Sequence, residues 1–451
     1  MHFLLNIKFL YILIFSIFVI SCSSSGNEAD DFSDDAPKEI PDEENSEEPV
    51  EEFPSLTDQE LLDEVQEKTF NYFWEFAGTN SGLAKERSSD NTTITTGGSG
   101  FGLASFPAAV ERGWISRTDA LQRLDKILTY LENIETYHGA FAHWYRDDTG
   151  ATLPFSANDD GGDIVETAFL IQGLLINRSY FSKETEIKNR ITHIWEDVEW
   201  DWYTQGENVI YWHWSPNFEF EKNLQVKGWN ESLMVYVLAA SSPTHPVDAD
   251  VYHQGWASNG NMQTGRSYYG NQLPLGSELG GPLFFAHYSF IGLDPRNLSD
   301  QYADYWQQNT SHSFINYEYA VSNPNNYEGY SEDSWGLTAS TGYDGYAAHS
   351  PTNDKGIIAP TASLSSFPYT PDKSMRALRY FYEDLGENLW GEYGFYDAFS
   401  QEVGWFSDSY LAIDQGPIVA MIENYRTGLL WDLFMQDEEI KAGLDKLDFK
   451  Y

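Results

Sequence analysis

Apolar residues along much of this chain recur every three or four positions. Leu61, Leu62, Val65, Thr69, Tyr72, Phe73 and Phe76 form one such face. Leu121, Leu124, Ile127, Leu128 and Leu131 form a second, and Ile164, Ala168, Ile171, Leu174 and Leu175 a third. This period is that of amphipathic helices. The same reading predicts helices near 183–197, 231–240, 282–291, 300–320, 371–385 and 411–434. Thr57-Asp58 and Ser116 to Asp119 are start signals, and Gly386 is a stop signal. Alternation of the β type is scarce, with Val209 to Trp214 its best example, and the long Gly/Asn/Tyr-rich tracts between helices read as loops. About a dozen helices without a second linker or low-complexity tract predict one all-α domain over 56–451. The architecture expected of it is a closed double ring, the six-hairpin (α/α)6 barrel, with long aromatic-rich loops.

Before that domain the pattern changes. Phe9 to Ile20 is an apolar run, too short to span a bilayer as a helix, and it reads as a secretory signal. It ends in Ser21-Cys22, and Cys22 is the sole cysteine among 451 residues. The setting resembles a bacterial lipobox, so residues 1–21 are expected to be a lipoprotein signal peptide and Cys22 the lipidation site. An intramolecular disulfide is excluded. Residues 23–55 hold thirteen Asp or Glu against one Lys, with few large apolar side chains, so 22–55 reads as an acylated cysteine and an acidic linker that cannot bury a core. Acidic stretches of this kind resemble signals that send lipoproteins to the outer cell face. The expected place is therefore the outer membrane, on its periplasmic or its surface side, with the lipid as the membrane partner.

Charge narrows the partners further. Of the whole-chain net charge of −44, about −33 belongs to residues 56–451. A nucleic-acid partner is excluded on that ground, and an anionic polysaccharide is disfavoured. Aromatic residues make up 16% of the chain, and many fall in predicted loops, among them Trp144, Trp212, Trp214, Trp335, Tyr343 and Trp405. Sugar rings stack their C–H faces on such side chains, so Trp144, Trp212, Trp335, Tyr343 and Trp405 are candidate substrate-binding residues.

Carboxylates supply the candidate chemistry. Asp159, Asp163 and Glu166 have the spacing of one helix face, where three like charges require solvent, a cation or a retained proton. Asp163-x-x-Glu166 before an apolar run is also a capping box. Glu231, in Gly228-Trp-Asn-Glu-Ser, falls in the first turn of an apolar helix that Asn230 would cap. Asp414 precedes a helix opened by Pro417, with Asp397 and Asp408 nearby in the chain. No metal-binding histidine spacing, EF-hand loop or Gly-x-Ser-x-Gly elbow is present, so neither a metal nor a cofactor is expected. Gly97-Gly-Ser-Gly-Phe-Gly102 lacks the Lys-Ser/Thr ending of a phosphate loop and reads as a flexible loop leading into a helix.

Five ordered motifs then carry a family resemblance: Asp159-Asp-Gly-Gly-Asp-Ile-Val-Glu-Thr-Ala, Gly228-Trp-Asn-Glu-Ser, Ser334-Trp-Gly-Leu-Thr-Ala-Ser, Gly356-Ile-Ile-Ala-Pro-Thr-Ala, and Ala412-Ile-Asp-Gln-Gly-Pro with Ile422-Glu-Asn-Tyr-Arg-Thr-Gly. Together they resemble the bacterial glucoamylase-like domain, including the endo-β-1,2-glucanases of glycoside hydrolase family 144, from near residue 60 to near 440. The resemblance implies an (α/α)6 barrel and anomer-inverting hydrolysis of β-1,2-glucan. It puts Glu231 at the general acid. The base side falls to Asp414 or to the Asp159, Asp163 and Glu166 cluster, with a substrate hydroxyl as a conceivable relay. Two other readings compete: a non-catalytic surface glycan-binding lipoprotein, and a hydrolase of an α-glucan.

Overall fold

In the computed structural model residues 55–451 are described, so the signal segment, Cys22 and nearly all of the acidic linker lie outside the described residues. The helices are α1 (Asp58–Trp74), α2 (Thr96–Ala104), α3 (Phe106–Arg112), α4 (Arg117–Leu131), α5 (Ile164–Tyr180), α6 (Thr185–Glu196), α7 (Leu233–Ser241), α8 (Tyr305–Ser322), α9 (Pro360–Leu364), α10 (Pro371–Arg379), α11 (Gly386–Leu389), α12 (Ala412–Arg426), α13 (Leu429–Met435) and α14 (Glu438–Lys446). Start signals act as the sequence predicts. Thr57 and Glu60 form a reciprocal capping box on α1, and the Ser116 hydroxyl accepts from the Asp119 N–H at 3.1 Å on α4.

Burial sorts these elements into two rings. Every residue of α2, α7 and α9 is buried, as are all but the last two of α5 and most of α12 and of Leu283–Ile291. Each of these inner segments follows an outer one: α1, α4, α6, the turn Val251–Trp256, α8 and α10. The inner segments touch in a circuit, α2 with α5, α5 with α7, α7 with Leu283–Ile291 through the Met234 N–H on the Ser289 hydroxyl at 3.0 Å, Leu283–Ile291 with α12, and α12 with α2, with α9 against α12. This is the (α/α)6 barrel that the periodicity predicts. An outer helix such as α6 is apolar on one side only, burying Ile187, Ile191, Ile194 and Trp195. An inner helix is apolar all round, because it is covered on both sides.

Three local expectations are corrected. Gly97–Gly102 is part of helix α2, not a flexible loop. Glycine is required there by close approach: a Cβ on Gly100 would stand 2.1 Å from the Phe169 carbonyl oxygen on α5, and one on Gly173 would stand 2.0 Å from the Gly100 carbonyl oxygen. Helix 282–291 is broken into short turns, Leu283–Ala286 and Tyr288–Ile291. The Gln172 amide donates to the Tyr288 carbonyl and accepts from the Gly292 N–H, taking over groups that a continuous helix would pair internally. Gly386 opens the short α11 instead of ending a helix, and the preceding helix already gives way at Tyr380–Asp384 to a wider turn.

The strands are short antiparallel pairs and one three-stranded ribbon, all outside the helices. Val209–Trp214 supplies two of them: Ile210–Tyr211 pairs with Gln225–Val226, and His213–Trp214 pairs with Gly162–Asp163. That second pairing fixes the entrance to α5.

Candidate active site

The carboxylates singled out in the sequence gather where inner helices begin. Glu166 lies in the first turn of α5, Asp414 in the first turn of α12, and Glu231 two residues before α7. Each helix points its N-terminal, partially positive end toward this region, where unpaired N–H groups favour acceptors. A cavity of about 380 Å³ opens there, with Glu166, Glu231, His143 and the Glu86–Arg87 pair on its wall and Trp144, Trp212, Phe155, Tyr288 and Tyr346 among its aromatic lining.

At the head of α5, Asp163 is the N-cap. Its Oδ1 accepts from the backbone N–H groups of Val165 and Glu166, both at 3.0 Å. Glu166 does not reach back to complete a capping box. Its Oε2 instead accepts from the Gly97 N–H of α2 at 2.7 Å, an approach the close α2–α5 packing makes available. Asp163 Oδ2 lies 2.9 Å from His143 Nδ1, and His143 Nε2 lies 3.9 Å from Glu166 Oε1. Burial pulls the His143 imidazolium down, but the charge of Glu166 and the bond to Asp163 outweigh it, and its pKa rises to about 9. Burial likewise opposes the Asp163 anion, yet the His143 bond and the charges of His213 and His143 hold its pKa below the ordinary value. Burial dominates at Glu166, against the pull of His143, and raises it.

Asp159 sits behind this cluster, away from the cavity. Lys222 Nζ is 3.3 Å from its Oδ2, and His213 Nδ1 is 3.1 Å from its Oδ1 without hydrogen-bonding alignment. Acids and bases thus alternate from Lys222 through Asp159, His213, Asp163 and His143 to Glu166. The repulsion that the bare carboxylate spacing implies is relieved by Lys222 and by the interposed His213 and His143.

Burial raises two further acidic groups as well. Glu231 is largely enclosed, and burial raises its pKa to about 7, with only its own backbone N–H opposing and the charges of Glu166 and Asp163 adding to the rise. Its carbonyl oxygen accepts from the Ser289 hydroxyl, fixing the turn. Ser232, not Asn230, is the cap position of α7; the Asn230 Oδ1 accepts from the Ser232 N–H at 2.9 Å, so Glu231 stands just outside the helix instead of within its first turn. Asp414 is 3% exposed and accepts from the Tyr288 hydroxyl at 3.4 Å. Burial and the neighbouring Asp397 carboxyl hold Asp414 far above its ordinary value, and burial raises Asp397 as well. Asp397 Oδ2 is anchored by the Thr341 N–H at 2.6 Å, while Asp397 Oδ1 and Asp414 Oδ2 are buried without a hydrogen-bond partner. Pro417 lies inside α12, not at its start.

Among the aromatic candidates, Trp144 and Trp212 line the cavity. Tyr343 is exposed and meets Trp405 edge-on at 6.4 Å, outside the cavity lining. Trp335 is corrected: it is 0% exposed, packed edge-on against Tyr317 at 5.6 Å within a core cluster, and it presents no face to a ligand. Sequence reasoning missed His143, His213, Tyr288, Phe155, Tyr346 and the Glu86–Arg87 pair. Asp397 had a signal in its nearness to Asp414 along the chain; the others come from loops and from an inner segment whose neighbours only the closed ring defines.

Comparison with known proteins adds the chain's relatives. The family model Glycoamylase, described as “putative glucoamylase”, matches residues 223–438, a span that holds Glu231, Asp397 and Asp414. A solved structure from Bacteroides uniformis under that same description is 53% identical, covering 88% of this chain and 98% of that one with a TM-score of 0.87. The endo-β-1,2-glucanase of Chitinophaga pinensis, solved with sophorotriose and glucose, is 49% identical over 88% of this chain and 99% of its own, with a TM-score of 0.86. An exo β-1,2-glucooligosaccharide sophorohydrolase (non-reducing end) of Parabacteroides distasonis is 45% identical over 419 residues, or 87% of this chain. The chain spans 58% of the length of that curated relative.

Proposed function

Because the chain belongs to the bacterial glucoamylase-like family, we propose that it is a glycoside hydrolase that cuts a neutral glucan, β-1,2-glucan above all, by inverting acid–base catalysis. The observation that carries this reading is Glu231, a carboxyl in the wall of an aromatic-lined cavity with its pKa raised to about 7. A large fraction of it therefore keeps its proton up to neutrality, as a donor to a leaving oxygen must. Inversion also needs an acceptor on the far side of the sugar, set back by roughly 6.5–9.5 Å to admit water. Two groups suit that part. Glu166 faces the cavity with His143 beside it, and Asp414 lies buried under Tyr288 with Asp397 as its neighbouring acid. Asp159 and Asp163 act through His213 and His143 as positioning residues. Trp144 and Trp212 offer ring faces to the glucan.

The substrate rests on the relatives, whose names specify β-1,2-linked glucans and glucooligosaccharides. Incubation with β-1,2-glucan, starch and laminarin tests it: new reducing ends from β-1,2-glucan alone are expected. Cutting of starch alone would move the chain to an α-glucan, and retention of glucan without cleavage would make it a binding protein. Glu231→Gln should lower turnover by about 10² to 10⁴. The base is identified by which of Glu166→Gln and Asp414→Asn abolishes the acidic limb of the pH profile. We further propose that Cys22 carries a lipid that holds the enzyme at the outer membrane, supported by the apolar run ahead of it and the acidic tether behind; incorporation of labelled palmitate, lost in Cys22→Ser, is the test.

A further inference from the structure

A second concave site lies beside the catalytic cavity, built around an indole that burial does not explain. Trp202 is 42% exposed, although Trp195 and Trp200, close by in the chain, are buried completely. Its ring is nonetheless rigidly held. The His138 imidazole stacks on it with centroids 3.8 Å apart and planes 14° apart, and Trp214 abuts both rings edge-on, at 4.9 Å from His138 and 6.5 Å from Trp202. His138 in turn is pinned by Glu199, whose Oε2 lies 3.0 Å from its Nδ1 and whose N–H donates to the His138 carbonyl at 3.0 Å.

This support carries a conformational cost. His138 has φ of +52°, a left-handed backbone that residues with a Cβ adopt at about 1 kcal/mol or more. Gly139 follows so closely on the 197–198 backbone that a Cβ there would sit 1.9 Å from the Asp197 carbonyl oxygen. The segment is thus held in a strained form that places an imidazole beneath an exposed indole. A surface tryptophan that merely covered core would need neither stacking partner.

Hydrogen-bonding groups surround the platform, with Phe220 as the second aromatic ring of the hollow. The hollow of about 480 Å³ is walled by Glu199, Asp201, Gln205 and His245. Asp201 accepts from the Trp202 N–H at 3.0 Å and lies 3.1 Å from the His245 ring, which fixes the rim as well as the floor. A flat apolar face ringed by carboxylate, amide and imidazole suits a sugar: C–H bonds against the ring, hydroxyl groups to the rim. Two carboxylates disfavour an anionic saccharide. The strand His213–Trp214 continues from Trp212 on the wall of the catalytic cavity; two residues of strand span about 7 Å, and the Trp214 ring centre lies 6.5 Å from that of Trp202, so the two sites are within a few sugar units of each other.

We propose that the Trp202–His138 platform is a second carbohydrate-binding site, which holds a neutral glucan chain outside the catalytic cavity. The choice of glucan rests on the functional reading above; the site itself does not. The test is retardation of the full chain in native gels cast with β-1,2-glucan, laminarin or starch, in the Glu231→Gln background so that nothing is cut. Adding Trp202→Ala should weaken retention on at least one of these glucans about tenfold, the loss of one aromatic anchor, and Trp202→Phe should fall between. Equal retention of all three proteins on every glucan overturns the second site, even if the wild-type chain hydrolyses β-1,2-glucan. A Trp202-dependent loss sustains it even if hydrolysis of β-1,2-glucan is never seen, in which case only the functional reading fails. Unchanged melting temperatures of both tryptophan variants tie the effect to the platform.

Discussion

The raised pKa of Glu231 has a consequence for stability as well as for catalysis. Its carboxyl ordinarily loses its proton at 4.5 but in the fold holds it to about 7. Between those values the folded chain binds more protons than the unfolded one, so stability falls as pH rises through the window. Each pKa unit corresponds to about 1.4 kcal/mol, and the full penalty of ionising Glu231 in place approaches about 3 kcal/mol above pH 8. Glu231→Gln keeps the shape and cannot ionise. The difference in unfolding free energy, variant minus wild type, should rise from a baseline at pH 4 by about 2–3 kcal/mol at pH 8, while activity collapses. Urea denaturation followed by tryptophan fluorescence at several pH values measures it. Glu166, Asp397 and Asp414 also titrate abnormally, but they are common to both proteins and largely cancel in the difference. A difference that stays flat from pH 4 to 8 would show that Glu231 ionises freely, and would remove the physical ground for naming it the acid.

Activity of the wild-type chain should decline as pH rises through about 7, with the limb assigned by kcat/KM, because Glu231, the proposed donor, is then ionised. His143 has the opposite charge logic: its pKa, raised from 6.5 to about 9, makes it stabilising below pH 6.5 and progressively less so up to pH 9. His143→Asn should lose that slope in the stability curve and depress turnover, whereas a variant with wild-type slope would sever the histidine from Asp163 and Glu166. Gly100→Ala should destabilise by about 3 kcal/mol, since its Cβ meets a backbone oxygen that cannot rotate away; near-native melting would mean that α2 and α5 can separate cheaply. Arg112→Ala strips the cation from Glu423, 2.6 Å away and 2% exposed on its side chain, and should cost about 3 kcal/mol, part of it recovered in Arg112→Ala/Glu423→Gln.

What could be read from the chain itself divides along a physical line. Local signals held wherever one segment decides its own state: the Thr57 and Ser116 caps, the amphipathic α1, α4 and α6, and Asp163 as a cap were all legible because their partners lie within four residues. Glycine-rich α2 was misread as a loop for the converse reason. Isolated glycines disfavour a helix, and only the facing backbone of α5, some seventy residues on, shows that anything larger than glycine cannot fit. The same holds at the site. The acids were visible as acids, but their protonation is set by neighbours from other hairpins: His143 for Glu166, Asp397 and Tyr288 for Asp414, and enclosure for Glu231. Trp335 and Trp202 make the point in opposite directions, one an apparent loop aromatic that closes a core, the other unremarked in the sequence and left standing in solvent on a histidine. Composition can say that a chain is rich in rings and carboxylates. Which of them remain available to a sugar depends on which faces the two helical rings consume, and the inner helices leave rings and carboxylates together at their N-termini, where the aromatic-lined cavity opens.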